Sequence, residues 1–184
     1  GALAGAALAK GISDNMNIAD SRAKLQAQLG LTAQDAQKYG KIAGDVYRGN
    51  FGESIDDVNT AIKGLSNNIE GFGDQSPDAI KKTTEAALTL ASTFDVEVND
   101  AARAAGAMIQ NGMAGNANEA FDIIARGFQT GLDSSGDFLD TLNEYAPQFR
   151  KVGLDGQLAL GLVSQGLKAG ARDADTVADA VKEF

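Results

Sequence analysis

The sequence has no cysteine, no histidine and no tryptophan, and only 2 prolines in 184 residues. Without cysteine there is no disulfide, no thiol nucleophile and no thiolate metal site. Without histidine, imidazole acid–base chemistry and the common zinc sites are excluded as well. Large aromatics are few, with 8 Phe and 3 Tyr, and much of the 43% hydrophobic share is alanine, accompanied by 22 glycines. Such a core packs small side chains closely and buries little apolar area per residue. Long apolar runs are missing too. The stretch GALAGAALAKGI at 1–12 is shorter than the about 20 residues a membrane helix needs, and it lacks the basic start of a signal peptide. It reads either as the end of a longer hydrophobic segment or as an ordinary small-residue packing segment.

Basic charge is also in deficit. The formal net charge is −9, from 25 acidic and 16 basic residues. Residues 1–92 hold 11 acids against 9 bases and residues 93–184 hold 14 against 7, so the excess sits mainly in the second half. Such a chain repels a phosphate backbone, and specific nucleic-acid binding is not expected. Lys81-Lys82 and Arg150-Lys151 are isolated pairs that read as solvated helix faces.

What is present is a succession of helix signals and no convincing strand. After residues 13–31, a linker and short helix, residues 32–184 read as one helical domain. Thr32, with Asp35 three residues on, resembles a capping box and opens a helix to about Arg48, with Ala36, Tyr39, Ala43 and Val46 on one face. In residues 54–69, Ile55, Val58, Ile62, Leu65 and Ile69 recur at spacings of 3, 4, 3 and 4, a helix–helix seam. Two heptads are too few for a coiled coil, so a neighbouring helix of the same chain is the expected partner. Ser76-Pro77 opens the next helix, with Ile80, Thr84, Ala87, Ala91 and Phe94 inward. DVEV at 95–98 reads as an extended connection, and Asn99 or Asp100 starts a small-residue helix. Asn116 caps the helix that turns Ala120, Phe121, Ile124, Ala125 and Phe128 inward. Ser134 and Asp137 look like a further box-like start before Phe138, Leu139, Leu142, Tyr145, Ala146 and Phe149. Asp155 starts a helix whose Leu158, Leu160, Leu162, Val163 and Leu167 point several ways, which predicts a central position. A last helix sets Val177, Ala180, Val181 and Phe184 on one face.

Three helix starts share one form: Gly30-Leu31-Thr32, Gly131-Leu132-Asp133 and Gly153-Leu154-Asp155. Glycine tolerates the left-handed conformation that ends a helix. Leucine then tucks back toward the core, and Thr or Asp caps the next helix. The joint is short, so consecutive helices are expected to be antiparallel neighbours. Their spacings are unequal, so no solenoid is inferred. Pro147 interrupts the apolar stripe just before the third joint and is expected to perturb or end that helix.

Chemistry is sparse. The pairs Asp56/Asp57, Asp95/Glu97 and Asp173/Asp175 sit at helix starts, where acids favour the helix dipole. Neither DVEVND nor DADTVAD has EF-hand spacing, and no lysine follows the glycine-rich GNFGES or GMAGNANE as in a phosphate loop. No catalytic residue, cofactor or metal ligand is assigned, and the chain is not expected to be an enzyme.

Over residues 121–184 the sequence resembles phage tail tape measure proteins, the minor tail proteins of long-tailed phages. The similarity is carried by Phe138 and Leu142, the Ala146-Pro147 step, the Gly153-Leu154 restart, the Leu158–Leu167 stretch and Gly170. The segment LTAQDAQKYGKIAGDVYRGNFGES is similar in flavour. The resemblance implies an all-α structural protein that sets tail length, occupies the tube lumen and leaves ahead of DNA toward the host envelope. It also implies a homo-oligomer, with three copies common in the family, and contacts with tube, distal tail and tail-tip proteins and with the host membrane. The alternative is a membrane-interacting or pore-forming helical domain, motivated by residues 1–12. A hydrolase is motivated only by the number of carboxylates.

Overall fold

The structure, a computed structural model, describes residues 20–183; residues 1–12, the first part (13–19) of the linker reading, and Phe184, all of which carry readings above, lie outside them. All regular structure among the described residues is helical. Residues 20–29 form α1. Then come α2 (Ala33–Arg48), α3 (Ile55–Asn68), a 3-10 turn (Phe72–Asp74), α4 (Pro77–Phe94), α5 (Val98–Gln110), α6 (Ala117–Gln129), α7 (Phe138–Lys151), α8 (Gly156–Lys168) and α9 (Ala174–Lys182).

The starts are set by local chemistry. Thr32, Ser76, Asn116 and Asp155 each accept a hydrogen bond from the backbone N–H three residues on. Each thereby satisfies one of the free donors of a helix N-terminus. Ser54 and Asp57 close a reciprocal capping box on α3, at 3.1 and 2.8 Å.

The packing follows a rule that unequal joint spacings hid. The helices α2, α4, α6 and α8 form one layer and α3, α5, α7 and α9 the other, with each helix packed on the one two along in the chain. The first layer starts at residues 33, 77, 117 and 156, which are 44, 40 and 39 residues apart. This alternate-helix stacking at near-equal intervals is the packing order of an α-solenoid, so the reading against a solenoid is corrected. The physical reason is that the three Gly-Leu joints are not equivalent. Those at Gly30 and Gly153 lead into first-layer helices, whereas that at Gly131 leads into a second-layer helix. Neither α6 and α7 nor α7 and α8 pack closely on each other, because each packs on the helix two along instead, so the expectation of antiparallel neighbours across the Gly131 and Gly153 joints is corrected. The period resides in the caps at 32, 76, 116 and 155.

The core runs between the layers, with α5 at its centre, packed on α3, α4, α6 and α7. Ala101, Ala102, Ala104 and Ala105 are fully buried there. Leu25 of α1 also belongs to the core, and Ser21 donates to Asp56 at 2.6 Å, tying α1 to the start of α3.

Four further expectations are corrected. Helix α5 begins at Val98, and neither Asn99 nor Asp100 caps it; Glu97 holds the cap position without a side-chain bond. Ser134 does not cap α7. Instead Asp133 reaches five residues on to accept from the Phe138 N–H at 3.0 Å, across a longer turn. Helix α8 is peripheral, resting on α6 and α9, and Leu158 is 56% exposed. Only one face of α8 meets the stack, so its leucines divide between core and surface. In α9 the buried residues are Ala174, Val177 and Ala178, while Ala180 is exposed, because the helix turns Ala178 toward α7 and α8.

Candidate functional site

The joints are the first candidate. Gly30, Gly131 and Gly153 take φ of 63°, 78° and 79°. In each, the following leucine N–H donates to a carbonyl five residues back: Leu31 to Gln26, Leu132 to Gly127 and Leu154 to Phe149, at 3.0, 3.0 and 2.9 Å. These are Schellman closures. Leu132 is buried, and Leu31 and Leu154 are half-buried against the core. The device is more widespread than the Gly-Leu spelling reveals. Asn50-Phe51, Asp95-Val96, Gly112-Met113 and Gly170-Ala171 close their helices with the same positive φ and the same backward bond. Asn and Asp are the non-glycine residues that best tolerate this region. The signal available in sequence was a small or Asx residue followed by an apolar one, not glycine alone.

Pro147 lies inside α7, which continues to Lys151. The helix survives because Tyr145, Ala146 and Phe149 on either side of the proline are buried and hold it. Gly153 then ends the segment.

The second candidate is the seam on α3. Val58, Ile62 and Leu65 are fully buried, Ile69 nearly so, and Ile55 is half-buried. Helix α3 packs most closely on α5 and also touches α2 and α4 of the same chain. The approach to α5 depends on two small residues. A Cβ on Gly106 would stand 2.1 Å from the Asn68 carbonyl oxygen, and one on Gly64 would stand 3.1 Å from Asn99 Oδ1. The seam therefore works as backbone-to-backbone contact more than as interlocked leucines.

Three of the paired carboxylates, Asp56, Asp57 and Asp173, serve structural ends. Asp57 belongs to the capping box, and Asp56 lies below its usual range because Ser21 donates to it, helped by Lys24. Asp173 caps α9. The Thr176 hydroxyl, then Arg172, hold its carboxyl down at about 2. Near it, burial pushes the Tyr145 hydroxyl up to about 12, aided by the charges of Asp175 and Asp179. No group of three or more acidic side chains among the described residues is placed to hold a metal ion. No described helix is long and apolar enough to cross a membrane.

Sequence reasoning missed one surface. Two hollows, of about 650 and about 190 Å³, lie along the edge formed by the α2–α3, α4–α5 and α6–α7 connections. They share Val96 and Glu97 of the DVEV connection as their common wall.

Residues 49–184 match the family model described as phage-related minor tail protein. The chain belongs to that family. It is also 46% identical over 104 residues to a protein of Streptomyces phage phiC31 described as "Probable tape measure protein". That match covers 56% of this chain but only 14% of the relative's length. No solved structure matches the chain. The minor tail protein region begins at Gly49, the residue that ends α2, and takes in α3 to α9. It thus holds seven of the stacked helices together with the Pro147 and Gly153 joint.

Proposed function

We propose that the chain is a structural, non-enzymatic segment of a tape measure protein in the tail of a long-tailed phage. In this reading it acts in tail assembly and tail length determination, lies in the tube lumen, and moves toward the host envelope during DNA ejection. The observation that carries the reading is the match of residues 49–184 to the minor tail protein family, joined by the 46% identity to a tape measure relative. Its partners are then other tail proteins: tube, distal tail and tail tip.

The test is an in-frame duplication of residues 117–155, one stacking period, in the phage gene that carries this segment, followed by electron microscopy of the tails. If the segment spans the tail as helix, each added residue lengthens it by about 1.5 Å. Tails of unchanged length from the duplicated gene refute a measuring role.

Self-association fits the outer face of α8. Leu158 is the most exposed large apolar side chain described, Leu162 is half-buried, and Lys168 is the one charge on that helix. In a chain of net charge −9, such a face lets copies meet without like-charge repulsion. Sedimentation of the wild type and Leu158→Glu tests this; a wild type that stays monomeric at high concentration rejects it. Envelope contact rests on residues 1–12, and liposome co-flotation with and without them tests it.

A further inference from the structure

In the stack, the α2–α3, α4–α5 and α6–α7 connections fall along one edge. The first hollow lies between the α2–α3 and α4–α5 connections, and Phe51, Leu88, Val96 and Val98 supply its apolar lining. The second lies between the α4–α5 and α6–α7 connections and is lined by Phe128 and Leu139, with Val96 shared. Apart from Leu88, which is buried, these side chains are half-buried, so an apolar guest gains contact without unfolding the core.

The rims are acidic. Glu53, Asp57 and Glu97 line the first hollow; Glu97, Asp100, Asp133 and Asp140 line the second. Neither lining contains a lysine or arginine. The one cation bound to these acids among the described ion pairs is Arg103, which bridges Asp100 and Asp140 at 3.2 and 3.0 Å. The carboxylates are spread along the edge and are not gathered as metal ligands. Their field complements a row of positive charges on a guest.

We propose that this edge is a docking site for a cationic amphipathic segment of a partner protein. The segment places apolar side chains in the two hollows and a Lys or Arg over Glu97 between them. Neighbouring packed helices stand about 8–10 Å apart, and that sets the distance between hollows. A helical guest meets it with apolar residues seven positions apart, a rise of about 10.5 Å. The surface has this character whether or not the chain measures tails.

The test titrates residues 1–184, labelled for NMR, with a synthetic Lys/Ala helix of about 18 residues, long enough to be more than marginally helical. It carries two leucines seven positions apart. One control replaces every Lys by Glu, and another sets the leucines five apart, on different faces. The expected result is saturable shifts confined to residues around 51–60, 88–98 and 128–140, with binding weakened about tenfold in Glu53→Lys/Glu97→Lys. Both substituted side chains are exposed, and a thermal melt of the variant verifies its fold. Equal binding of either control, shifts centred on another surface such as α8, or no saturable shift overturns the proposal.

Discussion

The contact of α3 with α5 makes a sharp prediction about one methyl group. At Gly106 an added Cβ would lie 2.1 Å from the Asn68 carbonyl oxygen and 2.9 Å from its carbonyl carbon, both backbone atoms. Neither can rotate away, so the end of α3 must move off α5. That movement loosens Leu65 and Ile62 against the alanine face. Overpacking of this kind costs about 1–3 kcal/mol, and a backbone obstacle puts it near the upper end. Alanine returns up to about 1 kcal/mol of helix propensity over glycine. The net expectation for Gly106→Ala is a loss of about 2 kcal/mol, or a fall in Tm of roughly 4–8 °C at this chain length. Gly161 supplies the internal control. It lies within α8, and a Cβ there meets nothing within 4 Å. Gly161→Ala should stabilise by about 0.5–1 kcal/mol. Urea and thermal unfolding followed by far-UV circular dichroism measure both. A Gly106→Ala variant that melts at or above the wild type refutes the close-contact account of the α3–α5 seam.

Other perturbations follow from the same geometry. Gly153→Ala forces a side chain into φ of 79° and should cost about 1–2 kcal/mol, read from the urea midpoint. Ser54→Ala removes the α3 capping box and should cost about 1 kcal/mol, with amide exchange rising first in residues 55–58. For pH, the Asp173 carboxyl is depressed to about 2, so its contribution is complete above the ordinary carboxylate range and drains away as pH falls through that range to about 2. Stability measured against pH should show that acid-side loss in the wild type and not in Asp173→Asn. Tyr145 is raised to about 12, so its contribution is complete below its ordinary value of 10 and is lost as pH rises toward 12. Tyr145→Phe should flatten that alkaline decline.

Much of the fold was legible because its causes are local. Thr32, Ser54, Ser76, Asn116 and Asp155 bond to backbone within three residues, so their role is written beside them in the chain. The inward faces of α2, α6 and α7 follow helical periodicity for the same reason. The starts of α5 and α7 were less legible. Glu97 makes no side-chain cap, and Asp133 acts across five residues, beyond the reach of a capping template. The docking edge was illegible in sequence. Phe51, Val96 and Leu139 lie on three different connections or helices, and only the stacking of the helices sets them side by side.

By itself the sequence determined an all-α chain without thiol or imidazole chemistry, the starts of those helices that carry a local side-chain cap, and its resemblance to phage tail proteins. Those properties depend on composition and on contacts a few residues apart. The tertiary structure alone decided that the helices stack in two layers, that α5 is central and α8 peripheral, and that Gly106 touches α3. Alternate-helix packing joins residues about forty positions apart, and no local pattern encodes which of several apolar faces will be left at the surface.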